Sequence, residues 1–96
     1  MAAYLIVDTL LTDPSLYEKY KLQARPLIEK FGGVYLARGG RMTLRETDLW
    51  APTRLVLVRF PDVETANRCL DSLEYQQILP LSHKSARRTA IVLEGE

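Results

Sequence analysis

The chain has 96 residues, 47% of them hydrophobic and 26% charged, with a net charge of +1. That length supports one domain over residues 1–96, burying roughly 60–65% of the surface its unfolded chain would expose, and the balanced charge excludes a global field for nucleic acid or an acidic membrane. One cysteine (Cys69) and one histidine (His83) exclude an intrachain disulfide and a Cys- or His-rich metal cluster, so no metal and no cofactor are expected.

Tyr4 to Leu11 is a nearly continuous apolar run of β-formers and reads as a central strand. Thr12-Asp13-Pro14 starts a helix, with Asp13 as N-cap and Pro14 in the first position, where no N–H is needed. Leu16, Tyr20, Ala24, Leu27 and Phe31 fall on one face of it, with Gln23 as a polar exception. Pro26 removes the bond to the Leu22 carbonyl and should kink or split this helix. Gly32 to Gly40 reads GGVYLARGG: a helix stop, a second strand over Val34 to Arg38, and another glycine pair. A third strand follows at Arg54 to Phe60. Between them, Met42 to Arg45 suits a strand extension and Asp48 to Pro52 a turn. Val63, Ala66, Asn67 and Leu70 have the spacing of a second helix. Ser72 can cap a short third one carrying Tyr75, Ile78 and Leu79 inward, limited or bent by Pro80. Thr89 to Glu94 closes as a last strand. Lys84, Arg87 and Arg88 just before it read as a solvated turn, because no aromatic residues are interleaved for base stacking.

The order β-α-β-β-α-(α)-β predicts an α+β class, ferredoxin-like βαββαβ sandwich: a four-stranded antiparallel sheet in the order 4-1-3-2 with helices on one face. The other face would be left apolar and open, which predicts a homodimer. The start Met1-Ala2-Ala3-Tyr4 lacks a signal peptide's basic region and cleavage site, and Ala2 to Val7 is too short to span a bilayer, so a cytoplasmic location is expected.

This topology gathers Asp8, Arg38 and Arg54 at one sheet edge, with Tyr17, Tyr20, the loop carrying Trp50 and the segment Ser82 to Arg88 that includes His83. Arg59 belongs at the opposite end. Forked arginine donors suit a carboxylate or a developing oxyanion, and His83 or Asp8 is placed to move a proton. Tyr17, Tyr20 and Trp50 would line the pocket. Each residue also has a plain structural reading: an Asp8–Arg54 ion pair or solvated strand ends, tyrosines in the core, Trp50 as a cover or dimer contact, His83 in solvent, Cys69 as a small core residue. No phosphate loop, dinucleotide fingerprint or nucleophile elbow is present.

Tyr4, Asp13-Pro14, Tyr17 and Tyr20, Gly32-Gly33, Arg38-Gly39-Gly40, Pro52 with Arg54, Phe60-Pro61, Ala66, Ser72 to Gln76 and Leu93-Glu94-Gly95 stand in the order and spacing of a known family. The chain resembles the domain of unknown function 1330 family, small bacterial proteins of the dimeric α/β-barrel superfamily. It departs from the family pattern at Cys69, where a tryptophan is common, at Leu73 (proline), at Arg59 (an acidic residue) and near Ser82 (arginine). The last departure implies one cation fewer at the sheet edge. The resemblance implies the same fold and no particular reaction; the superfamily spans cofactor-independent monooxygenases, lactone isomerases, haem-dependent enzymes and ligand-binding modules. Three readings stay open: a pocket at one sheet edge binding a small organic acid, a metal-independent monooxygenase- or isomerase-like enzyme on such an acid, and a structural or stress-related dimer.

Overall fold

Strand β1 (Ala3–Leu11) runs through the middle of the sheet, and its residues alternate between buried and half-buried as the two-residue period demands. The computed structural model describes residues 1–96. The elements that follow are α1 (Pro14–Lys30), β2 (Val34–Arg38), β3 (Leu55–Phe60), α2 (Val63–Asp71), α3 (Leu73–Ser85) and β4 (Ala86–Glu94). All pairings are antiparallel in the order β2-β3-β1-β4, which is the expected order read from the other edge.

Ala3, Leu5, Val7 and Thr9 of β1 face the helices, as do Val58 and Phe60 of β3. Helix α1 closes over them with Tyr17, Tyr20, Ala24 and Ile28. The buried stripe is therefore rotated from the expected one; Leu27 and Phe31 sit at its margin. Asp13 caps α1 through Leu16 N–H (3.1 Å). Pro26 does not split α1, which continues to Lys30. The proline lies on the exposed face, where water can take the carbonyl it leaves unpaired. Helix α2 is capped by Asp62 and α3 by Ser72. Helix α3 passes through Pro80 and runs directly into β4 without a loop. The last strand thus begins three residues earlier than expected, and Arg87 and Arg88 lie in it rather than in a solvated turn.

Residues 39–54 form no helix or strand, so the expected extension over Met42 to Arg45 is absent. In β2 the register slips between Tyr35 and Ala37: Tyr35 pairs with Val58, Ala37 with Leu57 and Arg38 with Val56. This bulge at Leu36 reverses the alternation, so Tyr35 and Arg38 both face the helices although their offset of three positions would put them on opposite faces of a regular strand.

The opposite sheet face carries Tyr4, Ile6, Leu10, Leu57, Ile91 and Leu93 with no helix over it. Leu10, Ile91 and Leu93 are 46%, 43% and 54% exposed, and the molecule is only 19 Å across its thinnest axis. No helix is long and apolar enough to cross a membrane.

Candidate functional site

A cavity lies between the helix-covered face of the sheet and α1. Leu5, Val7, Val56 and Val58 form its floor, and Ala24 and Ile28 its roof. About 40 Å³ is open to the centre of a water-sized sphere, against roughly 10–15 Å³ needed for one water. Four cations line it: Lys21, Arg38, Arg54 and Arg88; no carboxylate does. Lys21 is paired with Glu18 at 2.9 Å. The three arginines take part in none of the chain's ion pairs.

Each arginine is held by something other than a counter-ion. Arg38 stacks over the Tyr35 ring at 5.3 Å. Arg54 lies against Gly39, whose N–H donates to the Leu55 carbonyl at 2.8 Å. Gly39 has φ +72°, and a Cβ there would stand 2.6 Å from Arg54 Nε. The second glycine pair therefore makes room for a guanidinium. Arg88 lies deeper. It stacks over Tyr20 at 5.0 Å, donates from Nη1 to Ser82 Oγ at 2.8 Å and from Nη2 to Tyr20 Oη at 3.3 Å. A cation thus stands beside Ser82 after all, reaching it from β4.

Behind Arg88 the Tyr20 and Tyr75 hydroxyls share a buried hydrogen bond of 2.7 Å. Burial, reinforced by Tyr75, pushes the Tyr20 hydroxyl well above the ordinary tyrosine range. Burial also raises Tyr35, against the pull of Arg38 and Arg25. At the rim, the hydrogen bond and charge of Lys21 hold Glu18 below the usual carboxylate range, with smaller help from Arg38 and Arg54. The cavity combines a positive lining with the Tyr20 and Tyr35 hydroxyls, both of which burial keeps protonated.

Of the residues expected at this sheet edge, Arg38, Arg54, Tyr17 and Tyr20 come together here. Asp8 does not. It occupies the opposite sheet face, because it alternates with buried Val7 and Thr9. Nor is it paired with the Arg54 guanidinium. Asp8 Oδ1 accepts the backbone N–H groups of Thr53 (2.8 Å) and Arg54 (2.9 Å), and Oδ2 accepts Trp50 Nε1–H (2.9 Å). Desolvation raises its pKa, but these donors, Arg54 N–H first, outweigh it and the net shift is downward. Trp50 is consequently a partner of Asp8 outside the cavity. His83 is exposed on α3 and also lies outside the lining. Sequence reasoning passed over Lys21 and Tyr35, and it brought Arg88 to this edge only as part of a solvated turn. The signal for Arg88 was the period of two in Arg88, Ala90 and Val92, hidden by starting the strand at Thr89.

No three His, Cys, Asp or Glu side chains are grouped so as to hold a metal ion. The model of the domain of unknown function DUF1330 matches residues 2–96. The chain belongs to the DUF1330 family. A comparison with curated proteins returns no match. Among solved structures, this DUF1330 chain is similar to RPA0582 of Rhodopseudomonas palustris, a protein of unknown function. The TM-score is 0.78 at 13% identity, covering 99% of this chain and 82% of that one. It is also similar to SnoaB of Streptomyces nogalater, a cofactor-independent oxygenase (TM-score 0.70, 10% identity, 99% and 93% covered). A third is a dimeric protein of unknown function with a ferredoxin-like fold from Bacteroides fragilis (TM-score 0.62, 13% identity, 98% and 96% covered). At these identities the likeness establishes the ferredoxin-like fold alone.

Proposed function

We propose that this protein is a homodimeric binding module for a small organic acid, whose carboxylate is held by Arg38 and Arg54 in the cavity between sheet and α1. One observation carries the reading: the cavity presents three arginines without counter-ions and no carboxylate. Arg54 and Arg88 are half-buried and Arg38 is exposed; a half-buried guanidinium without a partner is costly, and an anion offsets that cost through forked, charge-assisted bonds. The alternative of a metal-independent monooxygenase- or isomerase-like enzyme gains less, because neither of the expected proton carriers lines the space. Asp8 and His83 lie outside it, and Tyr20 is held protonated. A purely structural dimer would leave the arginines and the cavity between them without a use.

Thermal unfolding with short-chain carboxylates tests the reading. An acid at about 100 times its Kd should add about 2.7 kcal/mol, or roughly 10 °C or more in melting temperature for a domain of this size. Arg54→Ala should lose most of that shift. An unshifted wild-type curve across the series would sink the proposal.

The dimer rests on the uncovered apolar sheet face and on the dimeric Bacteroides fragilis relative. Light scattering at micromolar protein should give twice the 11.0 kDa chain mass. Ile91→Asp, opposite Ile6 at the middle of that face, should shift the population to monomer. A wild-type mass equal to one chain at every concentration would refute this part.

A further inference from the structure

The cavity has two cationic poles rather than one. Arg38 and Arg54 stand on the β2–β3 side, on the Tyr35 and Gly39 platforms. Arg88 stands on the β4 side, on Tyr20 of α1. Thr9 separates them: its N–H donates to the Arg54 carbonyl at 3.0 Å, and it is the register partner of Arg88. The backbones of Arg54 and Arg88 are thus two strand spacings apart, roughly 9–10 Å. The floor between the poles is aliphatic, with Val7 paired to Val56 and Leu5 to Val58.

The inner pole is also incomplete. Two buried side-chain polar atoms in the whole chain lack a hydrogen-bond partner: Arg88 Nε and Thr9 Oγ1. They belong to facing residues of paired strands on the helix-covered side of the sheet; Arg88 lines the cavity, and Thr9 is buried beside it between Arg88 and Arg54. A buried donor without a partner is unfavourable and rare. One carboxylate at Arg38 and Arg54 would satisfy neither atom and would leave Arg88 without a counter-ion.

We propose that the ligand is a diacid: two carboxylates joined by a short apolar chain, one on Arg38 and Arg54, the other on Arg88 with Thr9. This rests on the reading of the cavity as an acid site and names the class of acid. Arg88 Nε–H and Thr9 Oγ–H donate to the inner carboxylate, Ser82 and Tyr20 hold the guanidinium in place, and the aliphatic floor takes the spacer. With Lys21 set against Glu18, three uncompensated arginines remain, and the second carboxylate of a diacid offsets one more of them than a monoacid can.

Calorimetric titration at neutral pH with matched pairs tests this: glutarate against pentanoate, adipate against hexanoate. Wild-type protein should bind a diacid at least about tenfold tighter than the monoacid of equal length, as one further charge-assisted pair implies. In Arg88→Gln the diacid should fall by more than the monoacid, until the two bind within about twofold. Arg88→Lys keeps the charge but not Nε–H, and should retain part of the preference. Thr9→Val, which keeps the side-chain shape, should lower it without abolishing it. Equal wild-type affinities for monoacid and diacid would overturn the inference while leaving the acid site standing, and would mean that water completes the inner pole. Arg88→Gln weakening both classes equally would also overturn it. Failure of every acid to bind wild-type protein would remove the underlying reading as well.

Discussion

Gly39→Val is expected to lose as much of the acid-induced thermal shift as Arg54→Ala, and to destabilise the protein by about 2 kcal/mol or more. Two effects combine. Gly39 sits at φ +72°, where a side chain costs about 1–2 kcal/mol and a β-branched one suffers most. A Cβ there would also lie 2.6 Å from Arg54 Nε and 3.0 Å from its Cζ, so the guanidinium must leave its platform. The backbone cannot yield instead, because Gly39 N–H is bound to β3. Its neighbour supplies the control. A Cβ at Gly40 meets nothing within 4 Å, so Gly40→Ala should leave both stability and binding unchanged. Denaturant midpoints give the first effect and carboxylate-induced thermal shifts the second. Should Gly39→Val keep the wild-type shift, Arg54 does not hold the ligand from the position described.

Asp8→Ala should cost about 2 kcal/mol, from three hydrogen bonds to one carboxylate at a little under ~1 kcal/mol each, discounted for their partial exposure. The carboxylate fastens the end of the 39–54 segment to β1, through Trp50, Thr53 and Arg54. Because it works from the opposite sheet face, acid binding should weaken only a few-fold, through looser placement of Arg54. The pH dependence has a definite sign. The folded pKa of Asp8 is lowered, so its stabilising contribution is fully present above the unfolded value, near ~3.9. It is lost as pH falls through the folded value. Urea midpoints of wild type and Asp8→Asn should therefore differ at neutral pH and converge in acid. A gap that widens in acid would contradict this account, and a large loss of binding in Asp8→Ala would mean that the carboxylate belongs to the site.

The departures from the sequence reading have separate causes. Asp8 looked like a candidate base because its row in the sheet was right; alternation along β1 then set its face opposite to Arg54's side chain. His83 lies near the expected end in chain order, but α3 continues past Pro80 to Ser85 and leaves it exposed. Arg88 was hidden because a helix that runs into a strand without a loop leaves no turn signal, so the cation read as solvent-facing. The stripe on α1 turned because Tyr17 and Ile28, not Leu16 and Leu27, meet the floor of the sheet.

The sequence by itself determined the element order, the strand order and the presence of Arg38 and Arg54 at one edge. Hydrophobic periodicity, the Asp13, Asp62 and Ser72 caps and the Gly32–Gly40 punctuation are local, and local signals suffice for topology. Which face each residue uses was decided only by the tertiary structure. A strand's side-chain period is two, so a single extra residue reverses every assignment beyond it. The bulge at Leu36 turned Arg38 toward the helices, the early start of β4 turned Arg88 inward, and Gly39 made room for Arg54. Three arginines share one cavity because pairing register, which no local pattern encodes, placed them on the same face.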